Sequence, residues 1–195
     1  MKKKVLVIVA HPDDETIWMG GTILQNKDNW NTTIISLCRK NDLDRAPKFK
    51  KACEKLNAKG FISDLDDSEE EDYKKISTED IIKRILQFAG KKYNYIFTHG
   101  SNGEYGHIRH VEANKAVKKM LQKNLITVDK IFFFAYKKSG AYCSPQSGVD
   151  KVINLNNLIF SIKKDIIQRI YGFEAKSFEE RCCKNVEAFT TDKKI

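Results

Sequence analysis

Two spacings of apolar residues alternate along this chain. Val5 to Ala10 is an unbroken apolar run, too short for a long helix and without alternation, and it predicts a strand buried on both faces of a parallel sheet. Further strands are predicted near 32–37, 61–62, 95–98, 129–136 and 152–153. Helical spacing separates them, over 15–27, 45–57, 109–121 and 158–171, and in the Ile81, Ile82, Ile85, Leu86 face. Pro47 falls in a first turn, where a missing amide proton matters little. Ser77 with Asp80 marks another helix start. Gly20-Gly21 weakens the first helix unless close packing requires small residues. The segment 137–150, rich in Ser and Gly, is expected as a loop forming a lip over a pocket, and 179–189 closes the chain.

This β-α-β alternation predicts an α/β fold, a three-layer α/β/α sandwich with a mainly parallel, Rossmann-like sheet and right-handed crossovers. At 195 residues with 41% hydrophobic composition the chain can bury one sizeable core, and no repeat, linker or low-complexity tract divides it, so residues 1–195 are expected as one domain. No apolar run is long enough for a transmembrane helix. Met1 to Lys4 looks like the start of a signal peptide, but the apolar run that follows is short and meets His, Pro and Asp. The formal charge of +9 permits anionic partners. The lysines are scattered over helix faces, however, so no nucleic-acid partner is expected. The five cysteines form neither a C-x-x-C pair nor an even framework, which predicts reduced thiols and a cytoplasmic protein.

The chemistry lies where apolar runs stop. Val9-Ala10-His11-Pro12-Asp13-Asp14-Glu15 takes a strand directly into a histidine and three carboxylates. The second such place, Thr98-His99-Gly100 through Gly103-Glu104-Tyr105-Gly106-His107-Ile108-Arg109-His110, carries the other three of the chain's four histidines. In open α/β folds ligands gather at the carboxyl ends of strands. A catalytic zinc takes three protein ligands and keeps one position for water. His11, Asp14 and His110 supply such a set, with Asp13 and His107 left for acid–base work.

These paired motifs resemble the zinc-dependent de-N-acetylases of the PIG-L/LmbE type. The resemblance implies the same sandwich and hydrolysis of the acetamide of an N-acetylglucosaminyl or related amino-sugar substrate, a small molecule or glycoconjugate. It makes His11, Asp14 and His110 ligands of Zn2+, Asp13 the general base, and Tyr105 and His107 candidates for holding the oxyanion. Arg45, at the start of a helix similar to one in that family, becomes a candidate substrate contact, as do Arg109 and His99. Two departures stand out. Lys48 and Asn57 replace a common Glu and Gly in that helix. His107-Ile108-Arg109-His110 stands where relatives read His-Pro-Asp-His, and a nearby arginine is expected to keep His107 neutral.

Plainer readings exist for each residue. Asp13, Asp14 and Glu15 could simply favour a helix N-terminus, His107 and His110 could be loop residues, and His99 could end a strand. Glu104 and Asn102 read as structural residues of the loop, and the acidic run 64–72 as a solvated loop. Two other functional classes also fit. One is a zinc-binding protein of this fold that no longer catalyses, against which the retained Asp13 speaks. The other is a metal-dependent hydrolase of another bond, such as a phosphoester, towards which only Arg109 leans. The sugar, the oligomeric state and the metal beyond a preference for zinc are not encoded in these patterns.

Overall fold

The computed structural model describes residues 1–68 and 75–192. Nine strands are described: β1 (Lys3–Val9), β2 (Trp30–Cys38), β3 (Ala58–Leu65), β4 (Lys92–Thr98), β5 (Thr127–Phe134), β6 (Tyr136–Ser139), β7 (Tyr142–Pro145), β8 (Lys151–Asn154) and β9 (Val186–Thr191). The helices are α1 (Asp14–Asn26), α2 (Arg45–Lys55), α3 (Thr78–Leu86), the single turn α4 (Gly103–Gly106), α5 (Ile108–Gln122), α6 (Asn157–Asp165) with a π-helical continuation Ile166–Ile170, and α7 (Phe178–Cys182). Seven strands form one sheet in the order β3-β2-β1-β4-β5-β9-β8. The first five are parallel; β9 pairs antiparallel with β5, and β8 antiparallel with β9.

The apolar runs explain this layering. In β1, Val5, Val7 and Val9 join the core under α1, α2 and the α6–π helix, while Leu6 and Ile8 join the core under α3 and α5. Both faces of β1 are therefore dry, as a continuous apolar strand requires. The chain lays β2 and β3 on one side of β1, then crosses to put β4 and β5 on the other. The switch point thus falls between β1 and β4, where the carboxyl ends of two adjacent strands leave a crevice. Both histidine-bearing motifs emerge there.

Several boundaries differ from expectation. Segment 137–150 is not a plain loop: its first half folds with Tyr136 into the β6–β7 hairpin, where pairs such as Lys137 with Ser144 satisfy the backbone that a loop would leave to solvent. The long fifth strand stops at Phe134, because the Ala135 amide donates to Ala188 and turns the chain into that hairpin. Ser77 caps α3 by accepting from the Asp80 amide, in line with the sequence pattern. All five cysteines are buried free thiols. No helix among the described residues is long and apolar enough to cross a membrane.

Gly20 and Gly21 serve an internal latch. The Gly21 and Thr22 amides and the Thr22 hydroxyl donate to Glu187 of β9 at 2.8, 2.7 and 2.5 Å, and Glu187 is paired at 2.7 Å with Lys163, both fully buried. The Tyr136 hydroxyl donates to the Trp18 carbonyl at 2.9 Å on the same helix. A Cβ on Gly21 would overlap both methyls of Leu155, so the close packing that would justify glycine is present. Gly21→Ala gains roughly 1 kcal/mol of helix propensity but meets an overpacking penalty of about 1–3 kcal/mol. A net loss of stability is expected in urea denaturation, and an unchanged or higher midpoint would show that Leu155 yields without strain.

Candidate metal centre

The turn after β1 fixes the first half of the site. Asp13 sits at φ 118°, a conformation that L side chains rarely adopt, and is held in it from three sides. Its carbonyl accepts from the Thr16 and Ile17 amides at 2.9 Å each, and its amide donates to Glu15 Oε2 at 3.1 Å. Glu15 is fully buried and receives the hydroxyls of Thr16 and Tyr171 at 2.6 and 2.8 Å. Glu15 therefore holds the turn and faces no ligand. Asp13 makes no capping hydrogen bond to α1, so the plain helix-terminus reading does not describe its side chain. Its Oδ2 instead meets Arg45 Nη1 at 2.8 Å.

Three donor atoms converge beside it. Asp14 Oδ2 lies 3.3 Å from His11 Nδ1 and 3.3 Å from His110 Nε2, and the two nitrogens are 3.3 Å apart. Donors about 2.0–2.1 Å from a tetrahedral zinc stand roughly 3.3–3.4 Å from one another. The triangle thus has the size that the ion would need.

Each donor is oriented from behind by its other polar atom. His110 Nδ1 donates to Glu104 Oε2 at 2.5 Å, leaving the Nε2 lone pair towards the centre. His11 Nε2 donates to Asp67 Oδ1 at 3.1 Å, leaving Nδ1. Asp14 Oδ1 accepts the Trp18 indole N–H at 2.8 Å, and Oδ2, which faces the centre, also accepts the His11 amide at 2.9 Å. This is the supporting shell found around metal-binding histidines and carboxylates. His99 lies 3.5 Å from Asp14 Oδ2 and could belong to a second grouping with Asp14 and His110. Its Nε2, however, accepts the Ala10 amide at 2.9 Å, and its Nδ1 donates to Glu104. Both nitrogens are committed, and His99 props the site from below.

The electrostatics follow from these pairings. Burial opposes a charged His110, but Asp14 and Glu104 outweigh it and raise its pKa to about 9. Burial likewise opposes the His11 cation, and hydrogen bonds with Asp14 and Asp67 overcome it. For Asp14, burial is outweighed by the histidines, which hold it well below the usual range. The Glu104 carboxyl, buried but bound by His99 and His110, is lowered to about 2. Asp13 goes the other way: burial and the neighbouring Asp14 raise it, against Arg45 and His11. Burial, then the charges of His110 and His11, lower His107 to about 3. A neutral His107 matches the expectation, but its cause is burial and neighbouring histidines, not Arg109. His107 Nδ1 accepts the Arg109 amide at 3.2 Å, which places its proton on Nε2. Burial and the nearby carboxylates keep the Tyr105 phenol protonated.

A cavity of about 210 Å³ opens over the triangle, with His11, Asp13, Asp14, Trp18, Tyr105 and His107 in its wall and Arg39, Arg45, Asp67, Phe178 and Glu179 around them. Arg45 stands in it, stacked 4.5 Å above the Phe173 ring. Two expected substrate contacts do not. Arg109 is fully buried and paired with Glu112 at 2.7 Å, and His99 is fully buried under the triangle, so neither lines the cavity. The 137–150 segment supplies none of the lining either; α7 forms that wall. Sequence reasoning misses four residues that matter. Glu104 reads there as a structural loop residue, and Trp18 gives no chemical signal beyond standing one helical turn from Asp14. Glu179 carries none at all. Asp67 is indistinguishable from the acidic run around it, of which positions 69–72 lie outside the described residues.

Comparison with known proteins agrees with this architecture. The family model described as PIG-L, GlcNAc-PI de-N-acetylase, matches residues 6–121. A conserved protein from Thermus thermophilus superposes with a TM-score of 0.71 at 14% identity, covering 99% of this chain and 96% of that one. N,N'-diacetylchitobiose deacetylase from Pyrococcus horikoshii gives 0.71 at 16% identity, over 97% and 84%. A 4-carboxy-2-hydroxymuconate hydratase from Pseudomonas putida gives 0.66 at 14%, over 98% and 95%. No curated protein matches by sequence.

The charge pattern makes a prediction for the metal-free protein. His110 is expected to titrate at about 9 and His107 to stay neutral down to about 3, and imidazole nitrogen shifts would measure both. Because the folded His110 pKa is raised, its stabilising contribution is complete below the unfolded value of about 6.5 and is lost as pH rises through about 9. A flat stability profile across that window would contradict the pairing.

Proposed function

The chain belongs to the PIG-L family, GlcNAc-PI de-N-acetylase, and from that premise we propose that it is a zinc-dependent hydrolase removing the N-acetyl group from an amino-sugar substrate. The observation that carries this reading is the triangle of His11 Nδ1, Asp14 Oδ2 and His110 Nε2, with the acidic side chain of Asp13 in the wall of the same cavity. Two imidazoles and one carboxylate suit zinc, and also iron or cobalt. When bound there, the ion supplies Lewis-acid activation of a water molecule and of the acetamide carbonyl.

The remaining chemistry belongs to the chain's own side chains. Asp13 accepts the proton of the attacking water with the oxygen that Arg45 leaves free. Its raised affinity for a proton suits it to carry that proton and hand it to the departing nitrogen, since an amine leaves poorly until protonated. Arg45 keeps the carboxylate aimed while its own plane is fixed on Phe173. Charge developing on the carbonyl oxygen is met by neutral donors, the Nε2–H of His107 and the Tyr105 hydroxyl. His107 acts as a hydrogen-bond donor and not as a cation, in keeping with the loss of an acidic neighbour at Arg109. Tyr105 and Phe178 offer aromatic walls for a sugar ring. A noncatalytic zinc protein would have no use for the strained turn that presents Asp13.

Asp13→Asn is expected to bind zinc normally while amine release from N-acetylglucosaminyl compounds falls by roughly 10²–10⁴-fold; activity near that of the natural chain would remove Asp13 from the mechanism. Glu104→Gln is expected to lower zinc affinity by about 10–100-fold with the circular dichroism spectrum unchanged. Chelator competition measures this, and an unaltered affinity would detach Glu104 from the centre.

A further inference from the structure

Resting on the hydrolase reading above, we infer that the pocket selects an acetamido sugar joined to a positively charged neighbour, with Glu179 as the specificity-determining residue. The formal charge of +9 points towards anionic substrates, yet the cations in the pocket wall are already engaged. Arg39 places Nε and Nη2 on Asp67 Oδ2 at 3.0 and 2.7 Å. Arg45 is held between Asp13 Oδ2, at 2.8 Å, and the face of Phe173. Asp14 faces the two imidazoles of the triangle.

Glu179 is what this pairing leaves over. It lies half-buried on α7 in the wall of the cavity, with no side-chain hydrogen bond or ion pair to any described residue. Its neighbour Glu180 shows the contrast: that carboxylate takes Lys164 at 2.6 Å and the Lys176 amide at 3.2 Å, and so serves the local fold. Phe178, packed edge-on against Tyr105 at 4.9 Å, fixes α7 against the site and sets where Glu179 stands. A carboxylate partly withdrawn from water gains most from a charged donor. An ammonium on the sugar next to the reacting acetamide supplies one. A phosphate or carboxylate there would meet Glu179 while both guanidiniums are occupied, and like charges brought together in a cleft repel.

The test uses three probes in which a methylsulfonamide replaces the acetamide and prevents turnover: one joined to glucosamine, one joined to glucose, and one carrying a 1-phosphate. Calorimetry with the zinc-loaded full chain is expected to find the glucosamine probe bound about tenfold tighter than the glucose probe and the phosphate probe weakest. Glu179→Gln is expected to bring the first two within about twofold of each other, and Glu179→Lys to favour the phosphate. The inference is overturned if the phosphate probe binds as tightly as the glucosamine probe, if the ratio survives Glu179→Gln, or if none binds. Amine release from the matching acetamido sugars reads the chemistry separately. Absence of release with the charge order of binding intact sinks the hydrolase reading and leaves the selection by Glu179 standing.

Discussion

The arrangement of this site depends on keeping two imidazole lone pairs and one carboxylate oxygen 3.3 Å apart. Left to themselves, such groups attract protons, and His11 and His110 are both raised. A divalent cation must displace those protons, so its binding is linked to pH. The protein holds the geometry by committing the far side of every donor to a partner: Glu104 behind His110, Asp67 behind His11, Trp18 behind Asp14. Those partners are themselves held in turn. Glu104 Oε1 accepts the Gly100 amide, and Asp67 is clamped by Arg39. The strained Asp13 and Glu104 backbones persist because so many bonds hold them.

The same pairing of charges governs the pocket above. Almost every ionic group in its wall has a local opposite, which keeps a half-buried, highly charged cleft compatible with folding. Asp13 and Arg45 form one such pair, and it also aims the proposed base. Positive charge counted along the sequence consequently says little about which substrates the cleft admits, because what matters is the group left without a partner.

The fold alone would not have led to hydrolysis. The fold is shared, at similar levels of identity, with a protein described as a deacetylase and with one described as a hydratase. What separates functions on one scaffold is the side chains that the switch point collects. In this chain those are the triangle of His11, Asp14 and His110, with Asp13, Tyr105 and His107 in the wall of the same cavity.

The sequence by itself determined the layered α/β architecture, because continuous apolar runs between helical stretches admit few other ways to bury both faces of each strand. It also singled out His11, Asp13, Asp14, His107 and His110, since histidines and carboxylates stood together in two short clusters where apolar runs stop, and the family resemblance added Tyr105. Tertiary structure alone decided the roles around them. Asp67 was one acid among several until β3 carried it to His11. Glu104 read as a structural residue of its loop until a backbone turn at positive φ aimed it at two imidazoles. Arg109 sits inside the motif, yet helical geometry turned it into the core towards Glu112, and Glu179 reached the cavity only through the packing of α7. Proximity along a chain fixes which residues share an element, but hydrogen-bond partners and burial are set by contacts between elements, and local patterns carry no record of those.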